Sequence, residues 1–176
     1  MFDLNSDNHN VIIEKNHLYN INKNIKNFNL MDTTFLIGQP FVELKILDES
    51  FYFSLLDKLN KQFSNLVYIP SRKENDRNLN RMKKKYDINI LRTNMNIEHY
   101  LLYNKIIPQS VIGFTSTALV TLNKLFNQEK VYIDIRSVRI NEKIINKNRF
   151  NFEINYSFEK YYKLLNDFKI KPLKNV

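Results

Sequence analysis

Apolar residues along the chain follow two alternating patterns. Short apolar blocks occur at Asp32–Gly38, Leu66–Ile69, Ile88–Leu91, Val111–Phe114 and Lys130–Ile135, each of the length of a buried strand. Gly38 with Pro40 stops the first block and Pro70 stops the second, since neither residue type continues a paired strand well. Between the blocks the spacing changes. Glu49–Phe63 has apolar side chains at 51, 52, 55, 56, 59 and 63, a stripe along one side of a helix. Leu79–Tyr86, residues 97–104, Thr117–Phe126 and Phe158–Phe168 complete the helical segments. Strands alternating with helices predict an α/β fold, a Rossmann-like doubly wound parallel sheet with helices on its faces.

Residues 1–30 stand outside this alternation. They are rich in Asn and Lys, with one strand at Val11–Ile13, and they read as an edge strand and linker from a preceding domain. Residues 31–176 read as a single domain, because a chain of 176 residues needs no second core. Arg136–Asn155 carries the weakest pattern, and no internal repeat is present.

The most informative stretch is Val111–Leu119, where an apolar strand ends at Gly113-Phe114, three hydroxyl residues follow (Thr115, Ser116, Thr117), and a helix opens. First-turn N–H groups have no intrahelical partner and sit at the positive end of the helix dipole, so a phosphate fits there. Ser and Thr are also the commonest helix caps, and alone the run reads as a cap. The chain's two glycines, Gly38 and Gly113, both end apolar runs. In open α/β sheets that edge binds ligands, and glycine lets a ligand approach the backbone.

Charge and composition narrow the choices. A net charge of +9 and a pI near 9.6 raise a nucleic-acid reading. Lys and Asn are spread through the chain together with Ile, the mix an A/T-rich coding sequence produces unselected. Only Arg81–Lys85 forms a compact basic run, and such a run on a helix is ordinarily a solvated face. Nucleic acid is not the expected partner. Anionic partners that remain are a nucleotide, an acidic glycan or the inner face of a membrane. The absence of cysteine excludes disulfides, thiolate catalysis and Cys-ligated zinc. His9, His17 and His99 fit no metal-ligand spacing, so no metal and no other cofactor is expected. No secretory leader and no apolar run of ~20 residues is present, which reads as cytoplasmic.

Polar groups fall after each strand: Gln39 and Glu43 after the first, with Asp48 and Glu49 opening the next helix; Ser71, Arg72, Lys73 and Glu74 after the second; Glu98 and His99 after the third; and Thr115–Thr117 after the fourth. A nucleotide site needs this set: cations and N–H donors for phosphate and a carboxylate for ribose hydroxyls.

The series Phe35-Leu36-Ile37-Gly38-Gln39-Pro40, Val67-Tyr68-Ile69-Pro70-Ser71-Arg72-Lys73-Glu74, Ile97-Glu98-His99-Tyr100-Leu101-Leu102 and Gly113-Phe114-Thr115-Ser116-Thr117-Ala118-Leu119 resembles the C-terminal half of bacterial lipooligosaccharide sialyltransferases and the related capsule polysialyltransferases. The resemblance covers residues 32–136. It implies the donor-binding half of a GT-B glycosyltransferase, with residues 31–176 holding CMP-sialic acid and transferring the sugar with inversion and without metal to a cell-surface glycan. The acceptor-binding domain is missing from this length. A fragment, a separately encoded half or a homodimer is then implied, docking through an exposed apolar patch, with peripheral contact at the inner membrane.

The resemblance assigns roles residue by residue. Gly38, Arg72, Lys73, Glu98, Gly113, Thr115, Ser116 and Thr117 bind the donor; Glu98 takes the ribose and Ser116 with Thr117 the phosphate. Glu43 is the first choice as general base, and Asp48-Glu49, matching the family's paired acidic motif with Ser50 in place of Gly, is the rival. The same acids are favoured at a helix start by the dipole alone. The family's His, which assists the departing phosphate, is here Ser71. A serine hydroxyl donates a hydrogen bond but is no general acid near neutral pH. Three readings follow: a CMP-sugar transferase domain of doubtful competence, a non-catalytic remnant or interaction domain with residual nucleotide affinity, and a basic nucleic-acid binder using Arg81–Lys85.

Overall fold

The computed structural model describes residues 25–141, 144–145 and 152–174, with side chains of the last segment from Ser157 onward. The expected strand at Val11–Ile13 lies outside the described residues. Six strands, β1 (Asn29–Ile37), β2 (Leu66–Ile69), β3 (Asn89–Ile90), β4 (Ile106–Gly113), β5 (Asp134–Ser137) and β6 (Lys171–Pro172), alternate with helices α1 (Glu49–Gln62), α2 (Asp76–Tyr86), α3 (Ile97–Asn104), α4 (Thr117–Gln128) and α5 (Phe152–Asp167). The strands make one sheet in the order β3-β2-β1-β4-β5-β6. Every pairing is parallel. This is the Rossmann-like doubly wound order.

Alternation along the strands splits the core into two layers. On one face Leu36 and Ile112 pack with Tyr52, Leu56 and Leu59 of α1 and Leu79 and Met82 of α2. On the other, Phe35, Val111 and Ile135 pack with Leu101 of α3, Leu119 and Leu122 of α4 and Leu165 of α5. Helix α5 also gives Phe158 to the first layer, so it closes over both. The reversal of winding falls between β1 and β4, which pair from Asn29↔Ile106 to Ile37↔Gly113.

Local chemistry explains where elements begin and end. Helix α3 occupies the span its spacing predicts: the Asn96 side chain accepts from His99 N, and Lys105 leaves in the left-handed region at φ 54°. Helix α2 starts at Asp76 rather than Leu79, because Asn75 caps it by accepting from Asn78 N. Strand β1 begins at Asn29, so Asn29 and Leu30 belong to the sheet rather than to a linker ending at residue 30. Strand β4 begins at Ile106, five residues before Val111, and runs through Pro108. Proline is tolerated there because β5 first pairs at Ser110 and the β1–β4 register shifts between Met31 and Thr34. Strand β5 is Asp134–Ser137 instead of Lys130–Ile135: Lys130 turns the chain at φ 55° after α4, and residues 131–133 serve as the connection. The two-residue β6 and the start of α5 at Phe152 were not expected from the spacing.

Candidate functional site at the β1–β4 switch

The loop after β1 leads to α1 on one face and the loop after β4 leads to α4 on the other, so the chain parts at the carboxyl edge of β1 and β4. A crevice at such a point is where doubly wound sheets take ligands. Main-chain bonds hold its walls one residue past the strands: Gly38 N donates to Ile69 O at 2.8 Å, and Val138 N donates to Gly113 O at 2.7 Å.

The hydroxyl run opens α4 at this edge. Ser116 is the N-cap, with its Oγ accepting from Ala118 N at 3.4 Å. Its carbonyl accepts the Tyr161 hydroxyl from α5, which fixes the loop from the far side. Burial raises the Tyr161 phenol, so it stays a donor. Thr115 and Ser116 are half-buried and Thr117 is exposed. Ser137, in register with Gly113, is fully buried, and among the described residues its Oγ is the one side-chain polar atom wholly shut off from solvent without a hydrogen-bond partner.

The turn after β2 is built around a buried carboxylate. Glu74, 5% exposed, accepts Ser71 N on Oε1 at 2.6 Å and the Tyr68 hydroxyl on Oε2 at 2.5 Å. Its carboxyl is raised to about 7, chiefly by burial, with the bonds from Tyr68 and Ser71 pulling it down. Ser71 Oγ accepts from Lys73 N at 3.4 Å. Arg72 and Lys73 are exposed on the same turn and form no ion pair with the described residues. Arg92, after β3, donates to Glu74 O at 3.3 Å and pairs with Asp76 at 2.7 Å.

The two acidic sites separate. Glu43 Oε1 accepts Asn75 N and Asn78 Nδ2, each at 3.1 Å, at the start of α2. Its other oxygen has no partner among the described residues. Glu49 instead pairs with Arg81 at 2.6 Å. Asp48 is the exposed N-cap of α1, with no hydrogen bond from its side chain. Glu98, only 8% exposed in the first turn of α3, has no hydrogen-bond or ion-pair partner among the described residues. His99 is exposed, with Nδ1 against Asn96 Oδ1, a local capping contact.

Local packing and pairing account for the space at both glycines and for the basic run. At Gly38 an added Cβ would meet the Tyr68 hydroxyl and lie 2.7 Å from Glu74 Oε1. At Gly113 the space is taken by Ile37 Cβ at 3.3 Å and Leu119 Cδ2 at 3.4 Å. Both glycines admit the protein's own side chains. The basic run has local explanations too: Arg81 pairs with Glu49, and Lys83–Lys85 occupy the last turn of α2, where the helix dipole favours cations. The sequence assigns no role to Tyr52, Tyr68, Arg92 or Tyr161, and places Glu74 only among the polar groups after the second strand. The available signal was Tyr68 with Glu74 six residues on, beside a strand-ending glycine.

Two further features bear on partners. A cavity of about 730 Å³ lies at the opposite, amino-terminal end of β1 and β4, lined by Leu30, Met31, Ile107, Pro108 and Tyr132 among others. Leu30 is 80% and Tyr132 90% exposed, and these apolar side chains sit at the end of the sheet opposite the β1–β4 carboxyl edge. Among the described residues no cluster of three or more His, Asp or Glu could hold a metal ion, and no helix is long and apolar enough to cross a membrane.

The fold defines a Rossmann-like α/β protein whose winding reverses between β1 and β4. The family model for alpha-2,8-polysialyltransferase (POLYST) matches residues 4–134. The chain belongs to that family, and so to the sialyltransferase-like glycosyltransferases, whose substrate classes are a nucleotide-sugar donor and a glycan acceptor. The match begins at residue 4, so likeness to the family is not confined to residues 32–136. No curated protein matches the chain.

Proposed function

We propose that this chain binds a CMP-sugar, CMP-sialic acid in the first instance, at the β1–β4 switch, as the donor-binding part of a GT-B transferase. The observation that carries the reading is the hydroxyl-bearing start of α4, capped by Ser116 beside the divergence of two loops. Ser116, Thr117 and the first-turn N–H groups take the phosphate, Arg72 and Lys73 offset its charge, and Glu98 accepts the ribose hydroxyls. As the bond from the anomeric carbon to the phosphate breaks, negative charge builds on the departing CMP. Donors already aimed at that phosphate stabilise it without reorganisation.

Inversion requires the acceptor hydroxyl to attack opposite the departing CMP. Glu43 is the better-supported base, because one oxygen is held at the start of α2 and the other has no partner among the described residues, whereas Glu49 is committed to Arg81. No metal enters the scheme. The acceptor is a cell-surface glycan, lipooligosaccharide or capsule. An acceptor-binding half comes from another domain or chain, and the enzyme works in the cytoplasm at the inner membrane face.

A second reading, a binding domain that no longer turns over, is favoured by one observation: the position expected to carry His is Ser71, and its Oγ is engaged by Lys73 N. Ser71→His, assayed for CMP-sialate turnover with an acceptor domain supplied, separates the two. A gain in turnover supports a damaged transferase, and no gain favours the binding domain.

A further inference from the structure

A run of buried hydroxyls joins two loops of the ligand edge. Gln39 N donates to Tyr52 Oη at 3.3 Å; Tyr52 Oη and Tyr68 Oη lie 2.9 Å apart; Tyr68 donates to Glu74 Oε2 at 2.5 Å; and Ser71 N donates to Glu74 Oε1 at 2.6 Å. Tyr52, Tyr68 and Glu74 are all buried. An ionised carboxylate only accepts, and a phenol has one proton to give. Tyr68 commits its proton to Glu74, so Tyr52 must donate to Tyr68, and the Tyr52 oxygen is left to accept Gln39 N–H. The polarity of the whole run is set by one carboxylate.

A proton on Glu74 breaks this order wherever it sits. On Oε2 it turns toward Tyr68 and reverses the run, so that the Tyr52 oxygen faces two donors and its own proton has no acceptor there. On Oε1 it faces Ser71 N–H. The first case leaves the Tyr52 proton unpaired beside the Gln39 loop and the second opposes the Ser71 tie, each at the cost of an unsatisfied buried polar group.

We propose that Glu74 is a positioning residue whose carboxylate, through Tyr68 and Tyr52, couples the loop carrying Ser71, Arg72 and Lys73 to the loop carrying Gln39 and Glu43. The role of those loops in binding rests on the nucleotide-sugar reading above. The titratable and charged groups facing Glu74 are Tyr68 from β2, Tyr52 from α1, Glu43 from the loop after β1 and Arg92 from the loop after β3; Glu43 raises the carboxyl and Arg92 lowers it. Burial pushes both phenols well above their ordinary range. Near neutral pH the proton exchanged within the run is therefore that of Glu74.

The test follows the backbone amide shifts of Gln39 and Ser71 in the intact, ligand-free chain from about pH 5 to about pH 9. Both amides titrate with one shared midpoint, Tyr52→Phe silences Gln39 while Ser71 still titrates, and Glu74→Gln silences both. Ser71 titrating alone in the unsubstituted protein, neither amide titrating, or Gln39 still following Ser71 in Tyr52→Phe overturns the coupling. A second arm measures CMP affinity above neutral pH, where Tyr52→Phe weakens binding about fivefold; equal affinity removes the positioning role. Failure of the unsubstituted protein to bind CMP overturns the nucleotide reading instead, and the coupling is then decided by the amides alone.

Discussion

Tyr68 Oη lies 2.5 Å from Glu74 Oε2 directly against residue 38, and the pair fits there only because that residue has no side chain. Gly38 has no positive φ, so its requirement is for space. Gly38→Ala is expected to destabilise the fold by about 1–3 kcal/mol, the usual cost of overpacking a filled core. Gly113→Ala, whose Cβ meets its neighbours at 3.3 Å or more, should cost less. Urea unfolding of the two variants checks the order.

The buried carboxyl also sets a pH dependence of stability. Glu74 goes from the ordinary 4.5 to about 7 on folding, so between those values the native state holds the extra proton. Its stabilising contribution is complete below about pH 4.5 and is lost as pH rises through about 7. The loss is ~3 kcal/mol at most. Unfolding free energies of the unsubstituted protein minus those of Glu74→Gln should fall across that window, and a flat difference contradicts the assignment.

Ser116 serves as a helix cap and, in the proposal, as a phosphate ligand, and the two roles respond differently to substitution. Ser116→Ala should cost about 0.5–2 kcal/mol of stability and weaken CMP binding. Ser116→Asp keeps a good capping residue but sets a negative charge against the phosphate. Near-normal thermal stability with lost CMP affinity in Ser116→Asp is the expected pair of results.

The choice of base is open to a paired comparison. Glu43→Gln retains an oxygen for Asn75 N, so folding and CMP affinity should persist while transfer to a sialylated acceptor falls about 100-fold or more. Glu49→Gln and Asp48→Asn should leave transfer near its starting level. The reverse outcome moves the base to the start of α1.

Elements bounded by local chemistry were the legible ones. Ile97–Asn104 is opened by its Asn96 cap, and Thr117 follows a hydroxyl cap, so both helix starts could be read from neighbours in sequence. Boundaries set by distant partners could not. Strand β4 passes through Pro108 because of its pairing with β1, and β6 exists only through two residues beside β5. The same division runs through the site. Ser116, Glu98 and the Ser71–Glu74 turn stand out beside strand ends, whereas Tyr52 and Tyr68 read as core aromatics until the fold brings their hydroxyls to 2.9 Å.

The central claim is that the β1–β4 edge holds a cytidine nucleotide. Thermal unfolding with CMP, UMP and GMP at matched concentrations tests it most directly, because a ligand bound only by the native state at about 100 times its dissociation constant stabilises it by ~2.7 kcal/mol. Stabilisation by CMP well beyond that by UMP or GMP is the predicted result. Equal shifts with all three, or no shift with any, contradict it.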